Sequence, residues 1–197
     1  MKREYSINEN EWELIFHTPL MTDGNDVVNG LVPTTMQTSA LTFGDPKGVY
    51  INGQRTSPNA AIEFILSDDW IARYSGAEEY YSEAEINYSY VNGVTLCTSY
   101  IPYTRLCSFA KEGGNPSQPM GIPYNTSVKL MQIHTYADDL SYTSVLWNSY
   151  NDQQYTASYT YNPSLGNRKW IQIASRWSGS SQYYRGYIKD FKIYRKK

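Results

Sequence analysis

The chain is short of charge. Only 18% of its 197 residues are Asp, Glu, Lys or Arg, and the formal net charge is −2. A quarter is usual. No basic patch is available to neutralise phosphates, so nucleic acid is not an expected partner. Cysteine is scarce too: Cys97 and Cys107 stand ten residues apart. On facing strands they could bridge, and geometry decides that; two free thiols are the expectation. His17 and His134 show no zinc-ligand spacing relative to them. No apolar run reaches transmembrane length, so membrane insertion is not expected. The opening Met1-Lys2-Arg3-Glu4-Tyr5-Ser6 is charged with no apolar stretch behind it, unlike a secretory signal peptide. That leaves a chain that stays in the cell, one that leaves by lysis within a particle, or one lacking its leader. No segment longer than a turn or two carries a helical apolar period, and no fixed-period repeat is visible.

Aromatic side chains are abundant instead. They make up 15% of the chain, and Tyr alone contributes 20 residues. Tyr, Trp and Phe favour strands. The chain reads as short alternating segments with turn clusters every ~8–12 residues, the pattern of an antiparallel sandwich. Trp12–His17, Ser39–Gly44, Ala60–Leu66, Ile86–Val91, Val128–His134, Tyr142–Trp147, Gln154–Tyr161 and Lys169–Ala174 are among the expected strands. Val128, Leu130, Gln132 and His134 share one face. Asn52-Gly53 and Asn92-Gly93 are hairpin signals. Ser67-Asp68-Asp69-Trp70 caps a brief helical turn or forms a loop. Lys111 to Pro123 is a Gly/Pro/Asn/Ser-rich stretch, longer than most connections and a candidate functional loop. At this length one domain, 1–197, is expected.

The last strand is the most informative. Tyr184, Gly186 and Ile188 alternate on one parity, and Phe191 and Ile193 on the other. Side chains in a strand switch faces at every residue. The change of parity therefore predicts a β-bulge or kink near Lys189-Asp190. Gly186 in mid-strand predicts close approach by a neighbouring backbone. The basic tail, Lys189 to Lys197, reads as a solvated strand edge guarded by cations.

The two ends resemble the concanavalin A-like lectin/glucanase superfamily, in particular its laminin-G-like and pentraxin-like members. Ile171-Gln172-Ile173-Ala174, then Tyr184-Arg185-Gly186-Tyr187-Ile188-Lys189-Asp190-Phe191-Lys192-Ile193-Tyr194, is similar to the closing pattern "l-x-I-G … f-x-G-x-I-x-D-v-x-I-Y". Ala174 stands where that pattern usually has Gly. Leu14–Leu20, Asp23-Gly24-Asn25-Asp26, Asn29-Gly30 and Ser39–Phe43 resemble its opening. The resemblance implies an all-β fold: a two-sheet antiparallel jelly-roll sandwich with first and last strands as neighbours. It also implies binding of glycans or proteins, often with Ca2+, by members that lack a catalytic apparatus.

Several groups are candidates for chemistry. Glu83 and Glu85 share a strand face about 6.5–7 Å apart, within the separation a glycoside hydrolase needs. The glucanase strand motif E-x-D-x-x-E is incomplete here, because the central Asp and final Glu are missing. A solvated strand edge explains the acidic run Glu78–Glu85 more simply. For Ca2+, which takes about six to eight oxygens, the oxygen clusters are Asp23, Asn25 and Asp26, and Asp138 with Asp139. Both also read as turn chemistry. Sugar rings stack on aromatic faces, and Trp70, Tyr80, Tyr81, Trp147, Tyr150, Trp177 and Tyr183 lie in or beside expected loops and strand ends. Many Tyr residues in a β protein are half-buried strand residues with a wet hydroxyl.

The expectation is a non-enzymatic recognition or adhesion module that binds a glycan or a cell-surface or virion protein. It would be oligomeric within a larger assembly, in a virion (a phage head decoration or tail) or at an extracellular surface. The alternatives are a glycoside hydrolase using Glu83 and Glu85, and a purely structural virion protein.

Overall fold

The computed structural model describes residues 7–54, 60–92, 94–107, 109, 121–137, 141–160, 167–176 and 183–197. The strands are β1 (Trp12–Thr18), β2 (Thr35–Met36), β3 (Leu41–Asp45), β4 (Gly48–Gln54), β5 (Ile62–Ile65), β6 (Glu79–Asn92) and β7 (Val94–Ile101). They continue with β8 (Thr104–Cys107), β9 (Val128–Tyr136), β10 (Ser141–Asn148), β11 (Gln154–Thr160), β12 (Trp170–Arg176) and β13 (Tyr183–Lys196). One short helix, α1 (Asp68–Tyr74), begins where Ser67 Oγ accepts the Trp70 N–H. Of the two readings of that stretch, the capped turn is the one that forms.

The strands make an antiparallel two-sheet sandwich. An eight-stranded sheet runs β11-β10-β9-β6-β13-β4-β3, with β1 also paired to β13, and a five-stranded sheet runs β2-β5-β12-β7-β8. β13 is the axis of the larger sheet. β6 lies along one side of it for nearly its whole length. On the other side β4 pairs with Tyr183–Ile188, and β1 with Phe191–Lys196. First and last strands are thus neighbours. The final strand is central, so the edge reading of the basic tail gives way to a strand paired on both sides.

The expected parity break is present. Register against β6 shifts between Lys189 and Lys192, and Asp190 has φ of 50°. The Asp190 N–H donates to the Pro19 carbonyl at 3.1 Å, and its carboxylate meets the His17 ring nitrogen at 3.3 Å. The bulge therefore sits where β13 changes partner from β4 to β1. It lets Tyr184, Ile188, Phe191 and Ile193 all point into the core.

Gly186 also behaves as expected. A second register shift lies beside it, its φ is 148°, and a Cβ there would be driven into Tyr88 Cα and the Asn87 carbonyl. Ala174, where the resembling pattern carries Gly, has φ of 51°, a conformation that normally favours Gly.

Between the sheets, Phe64 of β5 meets Phe16 of β1 edge-on at 5.0 Å, and Phe16 meets Phe191 at 5.8 Å. Aromatic pairs in these geometries add roughly 0.5–1.5 kcal/mol to their burial. Val128, Leu130, Gln132 and His134 are buried on one face of β9, as their alternation predicts. The two polar members each find hydrogen-bond partners there. Gln132 accepts the Phe109 N–H and donates to Ser144, while His134 Nδ1 donates to the Arg105 carbonyl. Cys97 and Cys107 are buried free thiols, their pKa values pushed up by burial.

The hairpin expected at Asn52-Gly53 is absent, and the one expected at Asn92-Gly93 falls partly outside the described residues. Asn52 and Gly53 lie within β4, paired with Arg185 and Tyr184. Asn92 ends β6, Gly93 lies outside the described residues, and Val94 opens β7 in the other sheet. The long partner strand β13 keeps Asn52 and Gly53 extended, overriding their local turn preference. A tight hairpin does form at Asp45–Gly48, where the Asp45 carboxylate accepts the Lys47 N–H.

Gly186→Ala tests the close approach at the centre of the sheet. It should cost about 3 kcal/mol or more in urea unfolding, since backbone must move. The control is Gly44→Ala, which has positive φ but nothing within 4 Å of a Cβ. Its expected cost is about 1 kcal/mol, from backbone strain alone.

Candidate functional site

Alternation on β6 sends Tyr80, Ser82, Ala84 and Ile86 into the core and Tyr81, Glu83 and Glu85 to the outer face of the large sheet. On that outer face, Tyr81 packs against Trp12, Trp147 and Tyr194 with ring centroids 5.7–6.1 Å apart. Met131, Ile133, Val145 and Ile7 complete the cluster. Tyr81 and Trp147 are candidates that the fold brings together, but they are covered, at 3% and 7% exposure. Trp70 and Tyr80 are core residues: Trp70 packs on Tyr74, and the Tyr80 hydroxyl donates to the Tyr74 carbonyl. None of these four offers an open ring face. Tyr183 enters β13 paired with Gln54 and Asn92; its side chain, and all of Trp177, lie outside the described residues.

The acidic run and the basic tail meet across the β6–β13 seam. Glu79 pairs with Lys196, Glu83 with Lys192, and Glu85 with Lys189, at 2.7–3.3 Å. Lys129 of β9 adds a second cation to Glu83 at 3.0 Å, and the Tyr81 hydroxyl donates to the same carboxylate. Burial pushes the Glu83 carboxyl up. The hydrogen bond and charge of Lys129, the charge of Lys192 and the Tyr81 hydroxyl outweigh it, so the group is held below its ordinary value. Tyr194 moves the other way: burial and then the Glu83 charge push its phenol up to about 12. A general acid for glycoside cleavage needs a raised pKa and a free proton. Glu83 has its charge fixed and its oxygens occupied. The acids are thus neither a solvated edge nor a free pair; they form a cross-strand ion-pair ladder.

The turn after β1 is built around Asp26, which is buried. Its oxygens accept the backbone N–H groups of His17, Val28 and Asn29 and the Asn29 amide, at 2.9–3.2 Å. Asp23 accepts the Asn25 N–H in a local turn. Among the described residues no three His, Cys, Asp or Glu side chains gather as metal ligands. Asp138 and Asp139 lie outside them, as does most of the long Gly/Pro stretch.

Open aromatic surface occurs at one end of the large sheet. Tyr150 is 50% exposed and Tyr124 is 58% exposed. Two turns hold them. In the first, the buried Asn148 side chain accepts the N–H groups of Tyr150 and Asn151 at 2.9 and 3.2 Å. Ser149 is clamped to β9: its N–H donates to the Lys129 carbonyl, and its hydroxyl accepts the Lys129 N–H.

In the second turn, Tyr124 stacks edge-on against Tyr88 at 5.4 Å. The Asn125 N–H donates to the Tyr88 carbonyl, and the Tyr88 hydroxyl to the Ile122 carbonyl. The turns touch at Gly121, where a Cβ would lie 3.6 Å from both the Asn151 and Gln153 side chains. Two exposed phenol rings thus stand on neighbouring turns that also carry the exposed amides Asn125, Asn151 and Gln153. Tyr150 was a sequence candidate and Tyr124 was not. The available signal for Tyr124 was its place in a Pro-Tyr-Asn turn directly after the long Gly/Pro stretch.

No family model matches the sequence, and no curated protein matches it. Solved structures share its fold. Domain 4 of AbnA, a GH43 extracellular arabinanase from Geobacillus stearothermophilus in complex with arabinotriose, superposes with TM-score 0.54 at 14% identity, over 94% of each chain. A Trypanosoma rangeli sialidase in complex with 2,3-difluorosialic acid gives TM-score 0.57 at 13% identity. There, 93% of this chain covers 31% of the enzyme's length. At these identities the likeness is one of fold: the two-sheet β-sandwich.

Glu83→Gln should lower stability by about 1–2 kcal/mol at neutral pH. That is less than a fully buried pair would lose, because Lys129 and Lys192 can turn to water. The group is depressed in the folded state, so its contribution is present above the unfolded carboxylate pKa and lost as pH falls through the folded value. Urea unfolding of both proteins should give a constant gap above about pH 5, narrowing below pH 4.

Proposed function

We propose that this domain is a recognition module that binds glycans at the Tyr124–Tyr150 end and does not cleave them. The observation that carries this reading is the pair of half-exposed phenol rings on two pre-formed turns that also carry three exposed amides. Sugar rings present C–H faces that stack on aromatics, and hydroxyls that amides both donate to and accept from. Rigid tyrosines supply contact area at low entropic cost, and the turns are ordered before any ligand arrives. The arabinanase domain of the same fold, of similar length to this chain, holds arabinotriose. The engaged state of Glu83 and the Glu85–Lys189 pair supports recognition over hydrolysis.

The module would serve a larger assembly, a virion or a cell surface, in attaching to glycan-bearing surfaces. Antibody labelling of intact particles and cell envelopes checks that placement, and labelling of neither removes it. For Ca2+, the proposal is that the Asp23–Asp26 turn is not a site, its central carboxylate being occupied by four N–H donors. A Ca2+ titration in the Asp138→Asn, Asp139→Asn double variant should leave Tm unmoved.

Binding itself is tested on a glycan array that includes neutral plant and bacterial oligosaccharides, followed by calorimetry on the hits. Tyr150→Ala and Tyr124→Ala should each weaken binding about tenfold, near 1.4 kcal/mol, with Tm unchanged for Tyr150→Ala and slightly lowered for Tyr124→Ala, which also loses its contact with Tyr88. An array without hits, or alanine variants that bind as wild type, would sink the reading.

A further inference from the structure

The two turns also carry information about the charge of the ligand. We infer that the Tyr124–Tyr150 end selects neutral glycans and discriminates against sulfated or uronic acid-bearing ones, an inference that rests on the glycan-binding reading above. Residues 121–127 are Gly-Ile-Pro-Tyr-Asn-Thr-Ser, and residues 149–153 are Ser-Tyr-Asn-Asp-Gln. Neither turn contains Lys or Arg. The one formal charge is the carboxylate of Asp152, exposed and held in place by a left-handed backbone with φ of 54°.

The cations of the neighbouring strands are spent elsewhere. Lys129, the next charged residue along β9, directs its ammonium to Glu83 at 3.0 Å. Lys189 is taken by Glu85 at 3.2 Å. Arg185 stands on β13, separated from β9 by β6.

An anionic sugar seated here would give up hydration without gaining a charged donor from the described residues of either turn. It would also feel the carboxylate of Asp152, two residues from Tyr150 in the same turn. Repulsion of two unit charges about 7 Å apart in water is roughly 0.6 kcal/mol, or about threefold in affinity. The exposed amides have the opposite preference. Asn and Gln side chains offer a donor and an acceptor together, which matches a neutral hydroxyl that is also both.

The test pairs each neutral oligosaccharide that binds with its uronate or O-sulfated counterpart, measured by calorimetry on the whole chain. The expected results are about tenfold weaker binding of the anionic partner and a neutral-ligand affinity that changes less than about twofold between 0.05 and 0.5 M NaCl. Asp152→Asn should narrow the neutral-over-anionic preference by about threefold; Asn tolerates the same backbone conformation. Equal or tighter binding of anionic partners, falling steeply with salt, overturns this inference and leaves the glycan-binding reading standing. So does an Asp152→Asn variant with an unchanged preference. Binding of neither class overturns both.

Discussion

The pairing of β13 with β6 is the constraint on which the rest of the sandwich depends. Two central strands run antiparallel for most of their length, and every other strand of the large sheet is registered, directly or through a neighbour, against one of them. Two local departures from regular geometry make that possible. At Gly186 the backbones come so close that no side chain fits between them. At Asp190 one residue is extruded, the parity of the strand reverses, and its partner on the far side changes from β4 to β1. A one-residue slip in register sends every side chain to the wrong face. The bulge is what allows two differently phased halves of one strand to bury their apolar residues in the same core.

The seam also decides where the charges go. The one acidic run and the one basic run of a charge-poor sequence face each other across it and neutralise each other. Their energetic worth is modest where the lysines are half in water. Their consequence for chemistry is larger: Glu83 becomes an engaged carboxylate whose ionised form is favoured. Beside it, the outer-face aromatic cluster is closed over by Trp12 and Ile7. The middle of the large sheet is therefore occupied by its own structure. Open polar and aromatic surface is found at the turns, where β9 begins and β10 ends and Tyr124 and Tyr150 stand clear.

Individual residues show what could be read in advance. The β-sandwich, the capped turn at Ser67, the buried face of β9, the bulge at Lys189-Asp190 and the tight spot at Gly186 all follow from periodicity and residue type, which are local properties. Asn52-Gly53 misled for the complementary reason. Its turn preference is local, but the long partner strand β13 holds it extended. For the aromatics, residue type did not distinguish Trp70, which fills the core, from Tyr150, which stands in solvent. A ring is equally good filler and platform.

By itself, then, the sequence determined the class of fold, the defects in its last strand and the scarcity of charge, because alternation, glycine and composition act within a few residues. Only the tertiary structure decided that Glu79, Glu83 and Glu85 meet Lys196, Lys192 and Lys189. Those partners lie more than a hundred residues apart, and only the register of β6 on β13 brings them together. The same holds for the end of the sheet. Tyr124 and Tyr150 become one surface because Ser149 is bonded to Lys129 and Asn125 to Tyr88, contacts between segments that carry no mutual signal along the chain.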